Sequence, residues 1–154
     1  MRTRANRPAR RGAATTEAAL VLPVFLTLVL GAIDVSVGVA RYNSLSQAAR
    51  HGARQAMVHG SKAPSEWNGG PWGPGPVDQP ASAAGVPAVD ADRPLLALCP
   101  LDESRVRVEW LDGSNEPGKP VRVTVTSTYR PMLTFLFGNP AIAITASSTM
   151  PIAH

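Results

Sequence analysis

Between Glu17 and Asp34 the chain runs through AALVLPVFLTLVLGAI, sixteen residues without a charge. Continued to Ala40, the stretch reaches 23 residues and Asp34 is its one charged side chain. A membrane-spanning helix needs about 20 such residues at ~1.5 Å rise each, so this run is long enough. Leu20, Val21, Leu22, Val24, Phe25, Leu26, Leu28, Val29, Leu30 and Ile33 cover every side of a helix, as lipid requires and as an amphipathic surface helix does not. Pro23 falls within the first two turns of the apolar run, where a missing donor costs less than in mid-helix.

The charges orient the span. The 154 residues suit one domain, or a short anchor plus one small domain. A pI near 10.0 suggests a nucleic-acid binder, yet five of the fifteen basic residues (Arg2, Arg4, Arg7, Arg10, Arg11) crowd into residues 1–12 with no acid beside them. The remainder is close to neutral and has no basic groove with interleaved aromatics, so no nucleic-acid partner is expected. Arg41 alone lies close behind the apolar run. This asymmetry predicts a single-pass protein of the cell membrane, its N-terminus cytoplasmic and everything after residue 40 outside.

Several N-terminal segments share that outline. A secretory signal has a basic start, an apolar middle and small residues before its cut, and Gly38 and Ala40 offer such a site. The apolar run is longer than the usual ~7–15 residues, however, and Asp34 lies in the approach to the cut. Arg10-Arg11 is followed by small and polar residues unlike a twin-arginine signal. An uncleaved anchor accounts for the span but gives Glu17 no role beyond marking its interfacial end.

The junction Arg10-Arg11-Gly12, then Ala13-Ala14-Thr15-Thr16-Glu17, resembles the processing site of type IV pilin-like proteins. The resemblance implies cleavage between Gly12 and Ala13 by a membrane prepilin peptidase, on the cytoplasmic side, with the apolar helix retained. Glycine suits such a cut because a residue without a side chain lets the peptidase approach the backbone. Glu17 would then pair with the new α-ammonium of Ala13, on its own or a neighbouring subunit, offsetting the desolvation of both. Many pilins place an aromatic residue after this glutamate; here Ala18 follows.

Three further stretches, LVLPVFLTLVLGAIDV, LSQAARHGARQAM and FGNPAIAITASSTM, together resemble the TadE-like family of minor pilin-like proteins of the tight-adherence (Flp) pilus. Asp34 after Leu30-Gly31 matches the acid common in that family, and residues 48–54 match its Ala-Ala-Arg-x-Gly-Ala-Arg stretch. The likeness is good over residues 10–60 and moderate over 121–150. It implies a role in pilus assembly, with other pilin-like subunits as partners. Asp34 itself reads equally as an interfacial acid reached by water or as a group pairing with a partner helix. Ala32, Ser36 and Ala40 form a small-residue ridge at four-residue spacing, which favours close helix approach in membranes.

Past the span, Tyr42, Leu45, Ala49, Ala53 and Ala56 recur at helical steps. Helix is therefore expected to continue from Ala13 to His59, on the order of 70 Å, and to stop at Gly60. His51 and His59 lie two turns apart with no third ligand in the segment, a polar surface pair rather than a metal site. Residues 60–94 hold seven prolines and six glycines and read as an extended loop or linker, with Trp67 and Trp72 available to pack on the domain. Three strands follow from period-two alternation in 105–110, 121–126 and 142–146, joined by the turn DGSNEPGK and the approach FGNP. Met132, Leu133, Phe135, Leu136 and Phe137 suggest a short apolar helix or a cover for the sheet. Three strands bury too little alone, so the outer part of the helix is expected against them.

Cys99, the single cysteine, excludes an internal disulfide and reads as a buried thiol. Phosphate loops, Ser-His-Asp patterns, paired catalytic carboxylates and Cys-His clusters are absent from the sequence, so neither an enzyme nor a cofactor is expected. The expected architecture is α+β, pilin-like: a basic leader over 1–12, a transmembrane and extended helix over 13–60, a Pro/Gly-rich loop over 61–94 and an antiparallel domain over 95–154. The expected function is non-enzymatic participation in assembling a tight-adherence pilus or related secretion apparatus. An uncleaved, membrane-anchored binding domain of the cell envelope is the alternative, and a domain secreted after Ala40 a third reading.

Overall fold

Residues 10–67, 69–133, 138 and 141–153 are described by the computed structural model. Most of the basic leader, and Phe135, Leu136 and Phe137 of the apolar connection, lie outside the described residues. Helix α1 (Arg10–Val58) is a single element of 49 residues, about 70 Å long, and it passes through Pro23 without a break. Strand β1 (Val77–Pro80), helix α2 (Pro87–Asp92) and two 3-10 turns (Arg93–Leu96, Leu101–Glu103) precede strands β2 (Ser104–Trp110), β3 (Pro120–Tyr129) and β4 (Ile142–Pro151). The strands form one antiparallel sheet in the order β1-β2-β3-β4, with the helix packed on it: an α+β layout as expected.

Alternation fixes which face of the sheet turns inward. Val106, Val108 and Trp110 of β2 and Val121, Val123 and Val125 of β3 are buried, while Arg105, Arg107 and Arg122 between them are exposed. Against this face α1 presents Leu45, Ala48, Ala49, Ala53 and Ala56, all buried. The one-face rule has a polar exception: Ser104 and Ser127 are paired across β2 and β3 and hydrogen-bonded to each other at 2.9 Å.

Two elements appear where no regular structure was expected. Strand β1 and helix α2 both fall within the Pro/Gly-rich stretch. Proline is tolerated in each because Pro80 ends an edge strand and Pro87 opens a helix, positions where a missing N–H breaks no ladder. The same stretch and the segment after β4 close the end of α1: the backbone N–H of Trp72 donates to the His59 carbonyl at 2.7 Å, and that of Ala153 to the Met57 carbonyl at 2.9 Å. Carbonyls that a helix terminus leaves without partners are thereby satisfied. Gly73, at φ +84°, runs so close to Trp110 that a Cβ would lie 2.4 Å from the ring.

Candidate functional site: one face of the long helix

The far N-terminal part of α1 stands away from the domain. Gly12 is exposed, and a Cβ added there would meet nothing within 4 Å. Ala13 follows it inside the helix, so the proposed cleavage bond lies in helical backbone. Glu17 is exposed, as are Leu20, Val21, Leu22, Val24, Phe25 and Leu28, at 55–75% of their full surface. Side chains of that size left in water would carry a heavy hydrophobic cost; in lipid they carry none. One helix long and apolar enough to cross a membrane is present among the described residues, and it fits a single-pass anchor.

Asp34 ends this bare segment. It is only 8% exposed, in contrast with its neighbours Ile33 at 44% and Val35 at 68%. The carboxylate accepts the backbone N–H of Met132 at Oδ1 (2.7 Å) and that of Leu133 at Oδ2 (2.9 Å). The Tyr129 hydroxyl, at the end of β3, is shared between Oδ1 (3.1 Å) and the Asp34 carbonyl (3.0 Å). Burial, and then the Asp34 carboxylate, push the Tyr129 phenol above its ordinary pKa, so it remains a donor. The Arg41 guanidinium covers the Tyr129 ring at 5.0 Å. Asp34, read from the sequence as facing water or a partner helix, turns its carboxylate to its own chain, where it accepts the two backbone N–H groups of the turn after β3.

The contacts form a stripe along α1. Gly31 lies under Leu133, Gly38 under Tyr129, with Asp34 between them and Arg41 one turn beyond; these positions recur at three- and four-residue steps. The ridge Ala32, Ser36, Ala40 lies elsewhere on the helix and is exposed. Ser36 donates to the Ala32 carbonyl at 2.8 Å.

Further along, Gly52 marks the tightest crossing. A Cβ there would sit 2.5 Å from Asp92 Oδ2 and 3.0 Å from Val123 Cγ1. The Asp92 side chain is fully buried at the end of α2; Oδ1 lies 3.3 Å from His51 Nδ1, and buried Oδ2 has no hydrogen-bond partner. Burial raises its pKa from 3.8 to about 7, against the opposing pull of His51.

Of the two histidines expected at the surface, His59 is buried. It stacks on Trp72 at 4.4 Å and 13°, and its Nδ1 lies 2.7 Å from the Gln55 carbonyl. His51 and His59 line one shallow cavity of about 260 Å³ with Trp72 and Asp90. Among the described residues no group of three or more His, Cys, Asp or Glu is placed to hold a metal. Cys99 is a free, buried thiol, its pKa raised by that burial.

Tyr129 had a legible signal: it continues the odd-numbered inward positions of β3. The Met132 and Leu133 N–H groups and the burial of Asp92 left none, since backbone donors and chain reversals are not written in side-chain pattern. Residues 12–54 match the model of the TadE-like protein family, from the glycine before the proposed cut to Arg54 just past Gly52. No curated protein and no solved structure matches the chain.

Proposed function

We propose, from a helix that is TadE-like over residues 12–54, that this chain is a non-enzymatic, pilin-like component of the machinery that assembles a tight-adherence (Flp-type) pilus. The observation that carries the reading is a 49-residue helix with two surroundings, bare and apolar before Asp34 and covered along one face by the β domain after it. A single element that anchors in lipid and forms the spine of a small β domain is the pilin plan. The leader is removed between Gly12 and Ala13 by prepilin peptidase, and Glu17 pairs with the α-ammonium so created. The N-terminus faces the cytoplasm, the domain lies outside, and the exposed Ala32–Ser36–Ala40 ridge packs against helices of other pilin-like subunits.

Intact-mass measurement of the membrane-extracted protein tests processing. In cells with active prepilin peptidase the chain is expected to begin at Ala13; a chain beginning at Met1 refutes cleavage and favours the uncleaved anchor. An alkaline phosphatase fusion at the C-terminus is expected to be active, and an inactive fusion refutes the orientation. Deletion of the protein is expected to abolish surface pili, and normal piliation refutes the assembly role.

A further inference from the structure

The two acids that bracket the apolar run limit how the helix can sit in a bilayer. The sixteen uncharged residues between Glu17 and Asp34 rise about 24 Å, less than the ~30 Å of a hydrocarbon core. Any placement that keeps Glu17 near one interface therefore leaves Gly31 inside the other half of the core. Leu133 sits on Gly31, its Cδ1 3.6 Å from where a glycine Cβ would be, so Leu133 shares that depth. Thr27, Leu30 and Gly31, on the face of Asp34, are half-buried, whereas the other described positions from Gly12 to Ile33 are exposed. Met132 is 64% exposed beside them. From Pro131 to Ile152 the sequence has no Asp, Glu, Lys or Arg. Arg130, the residue just before this run, is paired with Glu103, and Arg41 lies over the Tyr129 ring.

Non-helical backbone is tolerated at membrane depth only where its N–H groups find partners within the protein. Here Asp34 supplies them, accepting from Met132 and Leu133. We propose that the turn after β3 enters the acyl region of the leaflet beside the spanning helix, as a second, non-spanning membrane contact, with Met132 against lipid and Asp34 accepting the hydrogen bonds that water cannot supply there. This rests on the membrane-anchor reading above and fixes the domain on the bilayer surface, with its β3–β4 end down.

The test uses the full chain in phosphatidylcholine–phosphatidylglycerol vesicles, with Cys99→Ala and one nitroxide label at a time. Labels are placed at Met132→Cys, at Val24→Cys within the span, and at Glu116→Cys in the β2–β3 turn at the opposite end of the sheet. Collision with oxygen is read against collision with a water-soluble nickel complex. The expected result is a ratio at position 132 on the lipid side, several-fold above that at 116 and shallower than at 24. A lipid-like reading at 24 with a water-like reading at 132 overturns the proposal and leaves the anchor intact. A label at 132 hidden from both reagents also overturns it, by showing a protein neighbour such as a second copy. A water-like reading at 24 defeats the anchor itself, and this inference with it. In the Asp34→Ala background, position 132 is expected to shift toward water; an unchanged ratio shows that the carboxylate is not what holds the turn there.

Discussion

Helix α1 carries glycine at positions 12, 31, 38 and 52, and the space around each differs enough to predict opposite effects of one substitution. In a helix, Gly→Ala gains about 1 kcal/mol of propensity where nothing is in the way. At Gly38 the nearest atom to an added Cβ is Tyr129 Cε1 at 3.7 Å, ordinary contact, so Gly38→Ala is expected to be neutral or to stabilise by up to about 1 kcal/mol. At Gly52 the same methyl meets Asp92 Oδ2 at 2.5 Å and Val123 Cγ1 at 3.0 Å. Neither can yield easily: the aspartate side chain has no exposed surface, and Val123 is in the sheet core. Overpacking of this kind costs typically ~1–3 kcal/mol and more when two neighbours must move. Set against the propensity gain, Gly52→Ala is expected to lose about 1–3 kcal/mol net.

The assay is denaturant unfolding of the full chain in detergent micelles, followed by the fluorescence of its three tryptophans, of which Trp110 is buried in the sheet core. A double-mutant cycle locates the cause. With Asp92→Ala the oxygen at 2.5 Å is gone, so Gly52→Ala should become cheaper by at least ~1 kcal/mol; only the Val123 contact remains. Refutation is simple to state. If Gly52→Ala stabilises the protein as Gly38→Ala does, α1 does not cross α2 and β3 as closely as described.

Other outcomes follow from the same contacts. The folded Asp92 carboxyl holds its proton to about pH 7 and the unfolded one releases it near 3.8, so stability should fall as pH rises through that window by an amount on the order of a few kcal/mol. Asp92→Asn should flatten this slope in melts from pH 4 to 8, and an unchanged slope would assign the dependence to another group. Asp34→Ala should lower the melting temperature and remove hydrogen-exchange protection from the Met132 and Leu133 amides, while Glu17→Gln, far from the domain, should leave both unchanged. Unaltered protection in Asp34→Ala would mean those amides have other partners.

Size and periodicity made the long helix, its two surroundings and three of the four strands legible, because each repeats over many residues. Val121, Val123 and Val125 announce a half-buried strand, and Leu20 to Ile33 a helix apolar on every side, as a single-pass anchor requires. The short β1 and α2 were not legible. Four and six residues are too few to show a period, and their prolines argue against regular structure except at the end positions they occupy. The role of Asp34 lay beyond the pattern for a different reason. Its position inside an apolar run says that something must compensate the charge, but the donors are backbone amides nearly a hundred residues away in sequence.

What changes at Asp34 is side-chain size more than hydrophobicity. Before it the helix carries Leu, Val and Phe, an irregular outline to which lipid chains would adjust; after it the sheet-facing positions are mostly Gly and Ala, with Arg41 over Tyr129 and Leu45 the large exceptions. Small residues let a rigid sheet approach the helix axis, and a close approach leaves little freedom to roll. The Asp34 bonds add what packing alone does not, a directional contact at the β3–β4 end of the sheet that restrains rotation about the helix. If the proposed function holds, a subunit docking on the exposed Ala32–Ser36–Ala40 ridge would meet the β domain at one set angle, so weakening Asp34 should disturb assembly even where the chain still inserts in the membrane. Normal pilus assembly by an Asp34→Ala protein that has lost amide protection at Met132 and Leu133 would show that this fixed angle is not required.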